Sequence, residues 1–260
     1  EAPTKFQHQC SSSPAECHCP VHRDRDRDPF TAPLGKPFAS HVSVEEISRD
    51  EALEIYQKHH SYKSDLPDVN IIHHGLYYQG NLLGAITYRF PLLARKKVYF
   101  DSNGDLTREP LGQRELNSLP DPIQQRAADI FPRPNEAPVD STEVFPGNAF
   151  ITASRICIGV SMPNFASAAL ARSQVKFVEE YGAEFGDFQF LATYVRADFE
   201  GSMVKALRDK GWKRVGLSVP STATNREHKS INERYKWVFL NSVEKIREQA
   251  TLNDFAMHNE

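Results

Sequence analysis

The sequence predicts a mixed α/β domain: one central sheet with helices on both faces. Three observations predict it. Apolar, aromatic-rich runs of strand length recur from Ile71 onward, and segments of helical period fall between the later ones. The order is helix, hairpin, strand, helix, strand, helix, strand, strand, which joins an antiparallel start to a parallel middle. The composition also permits a core, because 40% of the 260 residues are hydrophobic and 25% are charged, which excludes wholesale disorder. A net charge of −3 gives no overall electrostatic case for nucleic acid, although 31 Lys and Arg leave room for a local basic face. No apolar run approaches the roughly 20 residues of a membrane-spanning helix, and no secretory leader pattern is recognisable. The expectation is a soluble, cytoplasmic protein, in the host cytoplasm if the chain is viral.

Residues 1–40 read as a separate polar segment, 41–245 as the main domain, and 246–260 as a tail. Ser48 or Asp50 can cap a first helix whose apolar side is Ala52, Leu53, Ile55 and Tyr56, ending near His59 and His60. A loop from Ser61 to Asp68 follows. Ile71–Tyr78 and Leu82–Phe90 form a hairpin about the turn Gln79-Gly80-Asn81. Residues 92–148 read as an insertion, poor in regular structure because of Pro110, Pro120, Pro122, Pro132, Pro134, Pro138 and Pro146. An extra hairpin around Asp101–Asp105 and a short helix over Ile123–Ile130 fit inside it. Phe150–Val160 reads as a buried strand and Phe165–Tyr181 as a helix. Phe188–Val195 is a strand, and Gly201–Lys210 is a helix stopped at Gly211. Trp212–Leu217 and Tyr235–Leu240 close the sheet, and Asn241–Ala250 suits a last helix.

Several groups can carry chemistry. The turn Ser161-Met162-Pro163-Asn164 leads into a helix, with Asn164 as its N-cap and the small residues Ala166 and Ser167 after it. Helix starts present unpaired N–H groups and partial positive charge, so this turn suits a pyrophosphate. Any strand–helix turn has the same look. His59, His60, Tyr62, Lys63, Ser64 and Asp65 crowd a loop, where they serve either proton transfer or a solvated helix end. His73 and His74 are neighbours on a strand and face opposite sides, so at most one should face a core, in a structural role. Tyr194 and Asp198 sit at a strand end, where α/β sheets bind ligands, yet Asp198 could equally cap the next helix. Cys10, Cys17, Cys19 and His22 offer four zinc ligands, closed and therefore structural; loose thiols or a disulfide are the other readings.

Taken in order, these pieces resemble the Mom family of DNA-adenine modification proteins. The resemblance rests on His60-Ser61-Tyr62-Lys63-Ser64-Asp65-Leu66-Pro67 and on the hairpin from Gly75 to Tyr88 with Leu82-Leu83-Gly84. It continues through Arg155-Ile156-Cys157-Ile158 and Pro163-Asn164-Phe165-Ala166-Ser167. Tyr194 to Asp198 follows, then Gly201, Lys205-Ala206, Gly211-Trp212 and Arg234-Tyr235. Where the family has Tyr-Ala-Asp, this chain has Tyr194-Val195-Arg196-Ala197-Asp198. The Cys/His head and the Pro-rich insertion have no counterpart.

The resemblance implies a GNAT-like acyltransferase fold, an acyl-CoA donor such as acetyl-CoA, and conversion of adenine in DNA to an N6-acetamido (carbamoylmethyl) form that resists restriction. An iron ion is a further implication. On this reading Arg155, Asn164, Phe165, Ala166 and Ser167 hold the donor. His60, Tyr62, Tyr194 and Asp198 carry the chemistry, and Lys63, Arg95, Lys96 and Lys97 meet DNA phosphates. Two other readings stand beside it: an N-acetyltransferase acting on a protein or small-molecule amine, and a zinc-containing nucleic-acid-binding module on an inactive acyltransferase scaffold.

Overall fold

The hairpin turn sets the register from which the sheet grows. Gln79 and Gly80 both take left-handed backbone angles, φ 48° and φ 78°. Two successive left-handed residues give the turn whose twist matches its strands. In the computed structural model, which describes residues 41–59, 66, 70–91, 94–186, 188–198, 201–220 and 235–257, this turn joins β2 (Asn70–Tyr78) to β3 (Asn81–Arg89). β1 (Val42–Glu46) pairs antiparallel outside β2. β1 was not expected from the sequence, because its apolar–polar alternation, Val-Ser-Val-Glu, runs for only four residues.

α1 (Arg49–His59) starts on a reciprocal cap. The Glu51 N–H donates to Ser48 Oγ at 3.2 Å, and the Ser48 N–H donates back to Glu51 Oε2 at 2.9 Å. The remaining elements are β4 (Arg95–Phe100), α2 (Gln113–Asn117), α3 (Asp121–Ile130), β5 (Ser141–Pro146), β6 (Phe150–Ile158) and α4 (Phe165–Tyr181). They continue with β7 (Phe190–Arg196), α5 (Ser202–Asp209), β8 (Lys213–Ser218), β9 (Lys236–Ser242) and α6 (Val243–Met257). The main sheet has seven strands in the order β1-β2-β3-β6-β7-β9-β8, antiparallel throughout except at β6–β7. The expected fold class, a mixed central sheet with helices on both faces, is the one observed.

The two faces are covered differently. On the first, Phe165, Leu170 and Phe177 of α4, Val204 and Leu207 of α5, and Val243 and Ile246 of α6 pack on Ile72, Leu76, Tyr88, Ile151 and Leu191. This is the large core. Gln174 fastens it, since its Oε1 accepts from Trp212 Nε1 at 2.8 Å and from Asn241 Nδ2 at 3.3 Å. On the second face two small clusters lie apart. α1 buries Ala52, Ile55 and Tyr56 against Ala85 and Cys157. The β4–β5 ribbon buries Val98 and Phe145 against Phe150, Phe190 and Leu240.

The Pro-rich segment is more regular than its composition suggests. β4 and β5 pair over six residues, and Phe100–Leu106 closes a small hairpin about Asp101–Asp105. From there the chain passes the β8 edge, where the Glu109 N–H donates to Val215 O at 2.8 Å. It then delivers Leu111, Leu116, Leu119, Ala127 and Phe131 to the large core. The prolines sit where they cost little: Pro120 and Pro122 flank the start of α3, and Pro146 ends β5. No helix among the described residues is long and apolar enough to cross a membrane.

Candidate functional site

β6 and β7 pair over only three positions, Phe150–Phe190, Ile151–Leu191 and Thr152–Ala192. Beyond them the strands part. The cause lies on the other side of β6. Thr87 pairs with Arg155 while Tyr88 pairs with Ala153, so Ser154 is an extra residue in that ladder. A bulge of this kind bends and over-twists its strand, and here it turns β6 away from β7. The departing strand leaves backbone groups facing a gap. One of them, the carbonyl of Ala153, is taken by Thr193 Oγ1 at 2.8 Å.

Both strands end at the same edge of the sheet, so the gap opens there as a V. β6 leads through Pro163 and Asn164 into α4. Asn164 takes a left-handed conformation, φ 63°, and its side chain makes no cap hydrogen bond. The N-cap position is as expected, but the side-chain cap is not made, so the first amides of α4 keep their capacity for an anion. Phe165 is fully buried, with its ring edge-on to Tyr78 at 6.4 Å. Its side chain therefore anchors the helix in the core and does not face a ligand, which narrows its expected donor-binding role to its backbone. Ala166 and Ser167 are half-buried in the first turn, and Asn164 is exposed.

β7 ends at Arg196, and Asp198 follows on the same edge. Arg196 Nε donates to Asp198 Oδ1 at 2.8 Å, and Arg196 Nη2 bonds the second carboxylate oxygen. Asp198 is thus held by a fork of charge-assisted bonds. It does not open α5, whose N-cap is Gly201. The end of α1 reaches this edge too. A side chain at Gly159 would sit 2.9 Å from the His59 ring, so glycine lets that ring lie against the backbone where β6 ends. His60, Tyr62 and Lys63 lie outside the described residues, as do Cys10, Cys17, Cys19 and His22. Among the described residues no three His, Cys, Asp or Glu side chains gather as a metal site.

Between the two small clusters of the second face runs a polar strip. Tyr56, Thr87 and His73 form a chain: Tyr56 Oη lies 2.8 Å from Thr87 Oγ1, and His73 Nδ1 lies 2.8 Å from the same oxygen. Arg155 stands opposite Thr87, and Arg89 stands opposite Thr152. Arg155 Nη1 donates to the Ser154 carbonyl at 2.9 Å. Burial lowers the proton affinity of Arg89, and the neighbouring Arg155 charge lowers it further, with Tyr194 opposing. Tyr194 lies on β7 just past the point of divergence. Burial raises its hydroxyl above the usual range, against the pull of Arg89, so it stays protonated near neutrality.

The adjacent histidines correct a further expectation. Both are buried, because both faces of β2 are covered. His74 Nδ1 meets Ser173 Oγ at 2.9 Å, and the same hydroxyl meets Tyr88 Oη at 2.8 Å. Lys96, expected to meet phosphates, turns inward instead. Burial lowers its proton affinity and raises that of Glu109, while the two oppose each other's shift by charge. Arg95 and Lys97 are exposed on the ribbon, with Lys97 Nζ 5.5 Å from the Tyr99 ring centre.

Arg155 and Tyr194 both lie near enough to Arg89 to act on its charge, while Asn164 and Asp198 follow the ends of β6 and β7. Thr87, Arg89 and Thr152 were missed. The one sequence signal for them is an arginine closing an otherwise apolar strand at Tyr88-Arg89-Phe90.

No family model matches the chain, and no curated protein does. Solved structures do. The chain is similar to spermidine N-acetyltransferase from Vibrio cholerae in complex with CoA and spermine, at 9% identity over 80% of this chain and 98% of that one, TM-score 0.41. It is similar to an IAA acetyltransferase from Bacillus cereus, at 8% identity over 77% and 99%, TM-score 0.38. A third likeness is to AtaTR bound with AcCoA, at 7% identity over 81% and 98%, TM-score 0.38.

Proposed function

We propose that the chain is an N-acyltransferase that takes an acyl group from a coenzyme A thioester and passes it to an amine. The observation that carries this reading is the divergence of β6 from β7 after Thr152, with the uncapped start of α4 at its mouth. An extended arm bearing amides can pair with strand backbone that has lost its neighbour. A pyrophosphate at the far end of the same arm suits the first amides of α4. An acyl-CoA carries both groups, spaced along one chain.

Chemistry follows from the groups beyond the divergence. The acceptor nitrogen attacks the thioester carbonyl carbon; the C–N bond forms and the C–S bond breaks. The leaving thiolate takes a proton, and Tyr194 supplies it, because burial keeps that phenol protonated. Asp198 is committed to Arg196, so it orders the edge and is a weak candidate for taking a proton. The proton lost by the amine goes to His60, with Tyr62 beside it in sequence, as the motif resemblance implies.

The acceptor in this proposal is the exocyclic amine of adenine in DNA. Its support is the ordered set of motifs from His60 to Tyr235, together with the exposed Arg95 and Lys97 on the ribbon. Purified chain, acetyl-CoA and duplex or single-stranded DNA test it by mass analysis of the digested nucleosides. A mass gain on deoxyadenosine, strongly reduced in Tyr194→Phe, is expected. Thiol release with spermidine or peptide amines but not with DNA would move the acceptor to small amines or proteins. No thiol release with any amine would sink the acyltransferase reading.

A further inference from the structure

The crotch of the V holds two buried donors, Thr152 Oγ1 and Arg89 Nε, with no hydrogen-bond partner among the described residues. Thr152 is 3% exposed and is the last residue of β6 paired with β7. Its Oγ1 is buried and has no hydrogen-bond partner among the described residues. Directly across the β3–β6 ladder stands Arg89, whose Nε is likewise buried and unpartnered among the described residues. Arg155, three residues on from Thr152 and on the far side of the bulge, brings a second guanidinium close enough to disfavour the charge on Arg89.

Such an arrangement is unfavourable as it stands. Buried donors are nearly always satisfied, and burial together with the neighbouring Arg155 charge disfavours the charge on Arg89. The contrast with Arg196 is direct, since that arginine has its carboxylate in Asp198. The contrast with Thr87 is equally direct: it lies on the same face, is fully buried, and has both Tyr56 and His73 on its hydroxyl. The face can satisfy its polar groups, and at Arg89 and Thr152 it does not.

We propose that Arg89, Thr152 and Arg155 form a receptor for an oxyanion, a carboxylate or a phosphate, carried by a substrate that enters the V. Guanidinium N–H groups and a hydroxyl match the oxygens of either anion, and two positive charges supply the counter-charge it needs. The site lies at the closed end of the gap, away from the start of α4 at its mouth, so it is separate from the pyrophosphate seat proposed above. It rests on the acyltransferase reading only in calling the bearer of the anion a substrate. Its test is therefore a binding measurement that needs no turnover.

The full chain is titrated with inorganic phosphate and, separately, with acetate, at constant ionic strength set by chloride. Binding is read by calorimetry and by the rise in melting temperature that any ligand of the native state produces. Saturable binding of at least one anion is expected. Phosphate alone assigns a phosphoester-bearing substrate; acetate alone assigns a carboxylate-bearing one. Arg89→Gln should weaken the binding by about 10- to 100-fold, the range for a lost hydrogen bond to a charged group.

Thr152→Val keeps the test sound if Arg89→Gln folds poorly. The threonine hydroxyl has no partner to lose, so this variant should melt at or above the wild-type temperature while binding the anion more weakly. A purely structural role would lower the melting temperature and leave the affinity alone. Absence of binding by either anion, or binding untouched in both variants, would overturn the proposal. Phosphate binding that survives both changes would belong to the start of α4.

Discussion

His73 and His74 are neighbours in sequence, yet they belong to two different kinds of interior. Each nitrogen Nδ1 meets a hydroxyl, and each hydroxyl also meets a tyrosine: His73–Thr87–Tyr56 on one face and His74–Ser173–Tyr88 on the other. On the α4 face the chain is sealed. His74 is 0% exposed, Tyr88 stacks on Phe177 at 4.1 Å, and apolar side chains surround both. On the α1 face the same motif borders a strip of arginines and a second tyrosine, and the apolar cover breaks into two patches. The difference teaches that a histidine, a hydroxyl and a tyrosine in hydrogen-bond reach do not make a site. What surrounds them decides it: full apolar closure makes the triad part of the packing, and an opening beside strands that part makes it part of a cleft.

That contrast can be broken by experiment. Phe177→Ala, in the middle of the sealed face, should cost about 3–5 kcal/mol of stability in denaturant unfolding. Tyr194→Phe, on the open face, should leave stability within about 1 kcal/mol but lower turnover of an acyl-CoA substrate by about 100-fold or more. If Tyr194→Phe instead unfolds the protein at full specific activity, the faces have been assigned the wrong way round. Thr87→Val removes the hydroxyl shared by Tyr56 and His73 and takes one hydrogen bond from each, so a loss of about 1–3 kcal/mol is expected in the same unfolding assay.

The sealed histidine has a signature in pH. Burial, with help from the Lys176 charge, pushes His74 down to about 3 from the ordinary 6.5. The unfolded chain therefore takes up a proton that the native state refuses. Stability linked to His74 is complete above the ordinary value, and it is lost as pH falls from there toward about 3. The slope contributed is at most about 1.4 kcal/mol per pH unit. A His74→Leu variant should lose stability less steeply over that window, as chemical denaturation at several pH values will show; parallel curves would refute the assignment. The smallest effect belongs to Thr152→Val, whose stability should change by less than about 0.5 kcal/mol because its hydroxyl is already without a partner. The distance between that value and the one for Thr87→Val measures how differently two buried threonines on one face are used.

Much of this was legible from local sequence. The turn at Gln79-Gly80-Asn81, the ends of α4 and the glycine after α5 follow from residues that set their own backbone angles. Gly211 takes φ 84° where the helix stops. The helix start at Asn164, with its φ of 63°, was found for the same reason, and the strand through Tyr194 from its apolar, aromatic run. β1 was not, since its pairing with β2 is what makes it a strand. The Pro-rich segment was misjudged because prolines were counted by number, whereas several fall at element ends that tolerate them.

By itself the sequence determined most of the elements outside β1 and the Pro-rich segment, and their order, because propensity, turn chemistry and hydrophobic period act over a few residues. Only the tertiary structure decided that β6 bends away from β7, and that Arg89 Nε and Thr152 Oγ1 lie buried across one ladder without hydrogen-bond partners among the described residues. Pairing register and closure of a face are set by contacts between residues far apart in the chain. A bulge of one residue, or a gap between a helix and a ribbon that cover one face, leaves no mark on any single segment.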